Sequence, residues 1–313
     1  MKREIITVES EYENLVIHAT VTIPDGNPVG VVHIYPGLTE SRSMYNDLSI
    51  VLASYQYVTL CADYRGHGDS VDDKHPLGHM SDEDGWMKNL KDMNIFCQWI
   101  REKYRHLPYY IFSSGMGTLI ARSFLKRFEY EVSGIIMADC PNVLLDSRII
   151  KKASAAFEGF GKPFSENKTF TRLLTRGVSQ NFAGSDVENA WYSADPEVCR
   201  KYNEDPSCGF HFSKRMTRDL MFGVEDACVF KDWHVLKSEL PILLLNGEDS
   251  AWTGGEDGIS RTGDFLRMRG YHSIEKIDYP GRRSNLVDGK GNEEVLQDIL
   301  IWYNKVTRRL KEE

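Results

Sequence analysis

Apolar and polar positions change period along the chain, and the changes mark its elements. The first 24 residues hold two β-rich runs, REIITVES and NLVIHATVTI. The second alternates until it meets PDGNP, a turn cluster that reads as a hairpin end. VGVVHIYPG follows, short and almost continuously apolar, as in a strand buried on both faces. A helix is expected around 44–54, and YVTLCADYRGHG reads as a second buried strand ending in a glycine-rich loop. Over 83–105, Trp86, Leu90, Met93, Cys97 and Ile100 fall three and four residues apart, one apolar helical stripe that reads as core. YYIFSS predicts a strand, 116–128 a helix and VSGIIMADC a strand.

The pattern then breaks. From 141 to 235 the chain reads as irregularly helical and rich in aromatics: Phe157, Phe160, Phe164, Phe170, Phe182, Trp191, Tyr192, Phe210, Phe212 and Phe222. Alternation resumes with LPILLLNGED, a helix near 258–269, YHSIEKIDYPG and a closing helix over 292–310. Strands alternating with helices predict a mostly parallel sheet with helices on both faces. The aromatic segment is an insertion between two of its strands. It reads as a small helical subdomain, and equally as a cap lining a pocket, since ligands sit at the carboxyl ends of such strands.

Composition narrows the function classes. The 313 residues are 41% hydrophobic, enough for a substantial core, and the net charge of −8 with scattered Lys and Arg argues against a nucleic-acid partner. Six cysteines show no C-x-x-C pair, so no metal site is expected, and nothing calls for a cofactor. They read as buried thiols of a reducing compartment. The charged start, MKREIITVESEYENL, lacks the apolar core of a secretory signal, and no run is long enough to span a membrane. A cytoplasmic location is expected.

Several blocks resemble the α/β-hydrolase family of monoacylglycerol lipases and lysophospholipases, also described as serine-aminopeptidase-like. Tyr35-Pro36-Gly37-Leu38 with Glu40 and Tyr45 stands where that family has a His-Gly loop followed by glutamate and tyrosine. Asp63-Tyr64-Arg65-Gly66-His67-Gly68-Asp69-Ser70 is similar to its D-x-R-G-H-G-x-S loop, the most specific match. Asp205-Pro206-Ser207-Cys208-Gly209-Phe210 resembles a D-P-x-C-G-F stretch of the bacterial branch. The resemblance covers nearly the whole chain. It implies an α/β-hydrolase fold, with 1–140 and 236–313 as the core and 141–235 as a helical cap.

The same resemblance implies a Ser-His-Asp triad, and none of its positions is intact here. The nucleophile turn, G-x-S-x-G in many hydrolases, reads Ser113-Ser114-Gly115-Met116-Gly117, with glycine at the nucleophile. The acid falls on Ser250 in Gly247-Glu248-Asp249-Ser250, and the histidine on Ser284 after Tyr279-Pro280-Gly281. Glycine cannot form an acyl-enzyme, and a hydroxyl neutral near pH 7 cannot replace imidazole. Candidate substitutes are Ser114, Asp139, Cys140 and Asp249. No histidine follows His272, which opens the last strand and lies at its far end. His67 reads as a loop-locking residue. An oxyanion hole made of the Leu38 and Met116 amides is implied to survive. Glycine at 115 suits a turn that forces positive φ. Three readings remain open: a non-catalytic homologue holding a small apolar or acyl ligand, an ester hydrolase using substitute residues, and an interaction protein without a ligand.

Overall fold

The computed structural model describes residues 1–142, 165–168, 179, 182, 184–229, 231–253 and 256–312, with the backbone alone at 256 and 257. Phe157, Phe160, Phe164 and Phe170 lie outside the described residues.

Eight strands form one sheet: β1 (Lys2–Glu9), β2 (Val16–Ile23), β3 (Gly30–Tyr35), β4 (Tyr57–Ala62), β5 (Tyr109–Ser114), β6 (Gly134–Ala138), β7 (Ile242–Gly247) and β8 (Ile274–Tyr279). Their order is β1-β2-β4-β3-β5-β6-β7-β8. β1 pairs antiparallel with β2, and β2 antiparallel with β4; every pairing from β4 to β8 is parallel. PDGNP closes β2 at the open end of the first hairpin and carries the chain across to β3.

The continuous apolar runs are the central strands. Every residue of β3, β4, β5, β6 and β7 is buried, whereas β1 at one edge alternates between exposed and half-buried positions. A strand covered on both faces has no polar side to alternate with.

The described α-helices are α1 (Asn46–Ser54), α2 (Gly85–Lys103), α3 (Gly117–Phe128), α4 (Pro196–Glu204), α5 (Lys214–Cys228), α6 (Glu256–Arg269) and α7 (Glu293–Glu312), with short 3₁₀ turns at Arg42–Tyr45 and Glu129–Glu131. Two large apolar cores result. Leu48 and Leu52 of α1 and Ile299, Trp302 and Tyr303 of α7 pack on one face of the sheet. The predicted stripe of α2 packs on the other face with Leu119 and Phe124 of α3, Leu220 and Val224 of α5 and Phe265 of α6. A third, smaller cluster holds Trp191, Tyr192, Val198, Cys199, Tyr202 and Cys208.

Within the stretch between β6 and β7 the helix ends are set locally. Asp195 accepts from the Glu197 amide ahead of Pro196, and Ser213 accepts from the Met216 amide at 3.0 Å. Helix α5 packs against the core helices: a Cβ on Gly223 would sit 2.4 Å from the Trp86 ring. The aromatic part of the insertion that reaches the carboxyl ends of the strands is therefore the portion before α5.

Candidate functional site

One cavity lies at the carboxyl ends of β3, β5 and β6, and a residue with left-handed backbone follows each of these strands and borders it. These residues are Thr39 (φ 63°), Gly115 (φ 52°) and Asp139 (φ 52°). For the glycine this costs nothing; for the branched Thr39 it is a strained conformation of order 1 kcal/mol or more. Neighbouring bonds hold it. The Thr39 hydroxyl lies 2.7 Å from the Tyr202 hydroxyl, and the Thr39 carbonyl accepts from the Gly209 amide at 3.0 Å. The loop after β3 is thus tied to the segment between β6 and β7.

Gly115 follows β5 directly. Its amide donates to the Ala138 carbonyl at 3.0 Å, and its carbonyl accepts from the Thr118 hydroxyl at 2.8 Å. The turn is a true strand-to-helix elbow. A Cβ at 115 would meet only the Gly37 Cα, at 3.9 Å, so the space above it is open. Gly117 is the opposite case: a Cβ there would lie 2.3 Å from the Pro36 carbonyl oxygen and 2.6 Å from that of Tyr35. The second glycine of the elbow therefore allows α3 to press against the end of β3.

Leu38 and Met116 both line the cavity, and neither amide N–H has an acceptor among the described residues. The Met116 amide stands at the N-terminus of α3, where the helix dipole favours negative charge. Glu40 braces this loop from beneath. Its carboxylate accepts from the Gly37 amide at 2.7 Å and from the Tyr45 hydroxyl. Burial pushes the Glu40 carboxyl up to about 7 against those hydrogen bonds.

The loops after β7 and β8 both approach the carboxylate that ends β6. Ser250, on the loop after β7, donates a hydrogen bond to Asp139, which ends β6. Ser284, on the loop after β8, lies near enough to favour the charged form of Asp139, yet its buried hydroxyl has no partner of good geometry among the described residues. Burial dominates and holds the Asp139 carboxyl at about 6. Gly115, Asp139 and Ser284 line the cavity together; Ser250 supports Asp139 from behind.

The other sequence candidates fall elsewhere. Ser114 lines the cavity with its hydroxyl beside the Tyr45 phenol. Asp249 is exposed and outside the lining. Cys140 is fully buried on the helix-α3 side of the sheet, its thiol facing Thr118 and Arg122 rather than the cavity. His67 locks its loop: Nδ1 is 2.9 Å from the Arg65 carbonyl, the ring packs edge-on to Tyr64 and Phe210, and burial holds it down to about 4. His272 is exposed ahead of β8, at the opposite end of the strand from the cavity. Among the described lining residues there is no histidine and no cysteine.

The remaining wall is aromatic, with Trp191, Tyr192, Tyr202, Phe210, Phe212 and Trp252. The sequence marked four of these; Tyr202 sat in an amphipathic helix and Trp252 beside the acid loop, where nothing in the local pattern set them apart. The cavity measures about 80 Å³, room for several water molecules or a small organic group. It offers the two backbone donors, the Ser114 and Ser284 hydroxyls and the Glu40 and Asp139 carboxyls at one end, and aromatic rings over much of the rest.

A model of the serine aminopeptidase (S33) family matches residues 26–254. A search of curated protein sequences gives no match. Among solved structures, a thermostable carboxyl esterase from Bacillus coagulans in complex with glycerol superposes with a TM-score of 0.89 at 20% identity, over 98% of this chain and 99% of the other. A soluble variant of monoglyceride lipase from Saccharomyces cerevisiae with a substrate analogue gives 0.72 at 16% identity, over 98% and 96%. The monoacylglycerol lipase of Paleococcus ferrophilus gives 0.63 at 17%, over 98% and 99%. At these identities the likeness is one of fold.

Proposed function

The chain belongs to the serine aminopeptidase (S33) family, and we propose that it is a non-catalytic member, similar to the monoacylglycerol lipases, that binds a small acyl ligand. The observation that carries this reading is Gly115, at a left-handed elbow beneath open space, in a cavity whose described lining holds no imidazole. Acyl transfer through such an elbow needs a nucleophilic oxygen and a base to take its proton. Gly115, Ser250 and Ser284 supply neither at the triad positions. The Leu38 and Met116 amides remain as donors for a carbonyl or carboxylate oxygen, and the aromatic wall suits a short apolar chain.

In this reading 1–140 and 236–313 form the hydrolase core and 141–235 carries the cap. Trp191, Tyr192, Tyr202, Phe210 and Phe212, all inside that stretch, support it by lining the cavity. A cytoplasmic location belongs to the same proposal; the six thiols are unpaired, as a reducing compartment requires.

A second reading has one observation behind it. Asp139 and Glu40 both line the cavity with carboxyls raised towards neutrality, which is what general acid–base chemistry uses. One experiment separates the two. Purified protein is offered short- and long-chain p-nitrophenyl esters, and binding of the matching free acids is followed through Trp191 and Trp252 fluorescence. Saturable binding without turnover supports the non-catalytic reading. Turnover abolished by Asp139→Asn or Glu40→Gln supports the second. Neither binding nor turnover would favour an interaction protein.

A further inference from the structure

Three arginines are buried in the described structure: Arg42, Arg65 and Arg122. Two of them hold a pair of carboxylates each. Arg42 pairs with Asp63 and Asp69, and Arg65 with Asp92 and Glu13. Arg122, on α3 and only 3% exposed, pairs with none among the described residues. One terminal nitrogen donates to the Thr262 hydroxyl at 3.2 Å, and the other lies 3.9 Å from the Cys228 sulfur. The guanidinium carbon is 5.6 Å from the Phe265 ring centroid. Nε is buried with no partner among the described residues.

Neutral groups do not balance a buried charge, and an arginine cannot shed its proton to escape the cost. On the adjoining helix α5, Asp226 is already committed, since it binds Lys126 and Arg127. The two thiols facing Arg122, Cys140 and Cys228, stay protonated because burial pushes both upward more than the guanidinium pulls them down. A counter-charge is missing from the described protein groups.

The guanidinium borders a small cavity of its own, separate from the one at the elbow and lined also by Asn142, Arg261, Thr262 and Phe265. It measures about 10 Å³, the room one water-sized species needs and far too little for a phosphate or an acyl chain. Exposed Arg261 adds a second positive charge at its edge. We propose that this cavity is a binding site for a single small monovalent anion of chloride's size, held by the Arg122 guanidinium and the Thr262 and Asn142 side chains. The anion completes the packing between α3 and α6. Asn142 also donates its amide to the carbonyl of Trp252, so the site borders a segment that reaches the main cavity.

The test compares thermal unfolding of the whole protein in sodium chloride, sodium bromide and sodium gluconate at equal ionic strength. A halide at a hundredfold its half-saturating concentration raises the midpoint by about 4 °C, saturably, and gluconate, too large for the cavity, leaves it unchanged. Arg122→Met abolishes the difference between the salts. Thr262→Val keeps the charge and raises the half-saturating halide concentration by about tenfold, the loss of one charge-assisted hydrogen bond. Bromide-soaked crystals show an anomalous peak at hydrogen-bond distance from the Arg122 guanidinium. Equal midpoints in the wild-type protein, or bromide absent from Arg122, overturns the proposal. Both readouts use the unmodified chain, so they decide even where Arg122→Met fails to fold.

Discussion

Ser250 donates its hydroxyl hydrogen to the carboxylate of Asp139, joining the loop after β7 to the end of β6. The loops after β7 and β8 thus bring two serine hydroxyls, those of Ser250 and Ser284, towards one buried carboxyl. This contact, the elbow beside it and the carboxyl they surround can each be probed by substitution.

The two glycines of the elbow differ in what a methyl group would meet. Gly115→Ala enters open space and costs only the left-handed backbone, on the order of 1 kcal/mol. Gly117→Ala drives a methyl into the carbonyls of Tyr35 and Pro36 and costs at least about 2 kcal/mol, or prevents folding. Urea unfolding of both variants checks the order; equal costs would refute the close approach of α3 to β3.

Gly115→Ser should fold, because the side chain has room, and should still hydrolyse no ester. The new hydroxyl shares the cavity with Asp139 and Ser284, and the described lining residues offer no imidazole to take its proton. Turnover above background in this single variant would mean that a carboxyl of the cavity serves as the base.

Asp139 makes stability depend on pH with a definite sign. Its folded carboxyl sits at about 6, above the ordinary carboxylate value, so the folded state binds the proton more tightly than the unfolded chain does. This contribution is complete below pH 4 and is lost as pH rises through 6, a difference of about 3 kcal/mol. Glu40, at about 7, acts with the same sign over a higher window. Asp139→Asn keeps an acceptor for Ser250 and removes the first component, so the fall in urea midpoint between pH 4 and 6 should flatten. An unchanged slope would show that the carboxyl does not titrate there.

Arg65 is the hub of the loop that resembles D-x-R-G-H-G-x-S. It is fully buried, reaches Asp92 at 3.0 Å, bonds Glu13, and donates to the Met80 carbonyl at 3.0 Å. Arg65→Met leaves Asp92 buried without a counter-ion and should cost about 3–5 kcal/mol. Pairing it with Asp92→Leu should recover part of that loss, since the stranded charge is removed. Denaturation of the single and double variants measures the coupling.

Trp191 covers the cavity and packs edge-on to Trp252, with ring centroids 5.7 Å apart. Trp191→Ala should weaken binding of a short-chain acid by about tenfold or more while Arg122 and its surroundings stay untouched. Titration by calorimetry checks it, because the fluorescent reporter itself is changed.

How much of this was legible beforehand follows from the range of the interactions involved. Nearly continuous apolar runs marked β3 and β4 as strands buried on both faces, β5 to β7 read as strands between helices, and the three- and four-residue spacing of Trp86 to Ile100 marked α2. Ser113-Ser114-Gly115-Met116-Gly117 marked the elbow because a positive φ and a close helix approach each leave a local trace, a glycine. The sequence by itself therefore determined the fold class and the position of the elbow. Tertiary structure alone decided which groups share the cavity: Asp139 and Ser284 are far apart in the chain and meet only because parallel strands align their carboxyl ends. It also set Cys140 and Asp249 outside the lining, as one residue along a strand or turn reverses the side-chain direction. And only the packed structure singled out Arg122, whose neighbours come from α5 and α6, because a missing counter-charge is a property of surroundings that no single stretch of sequence contains.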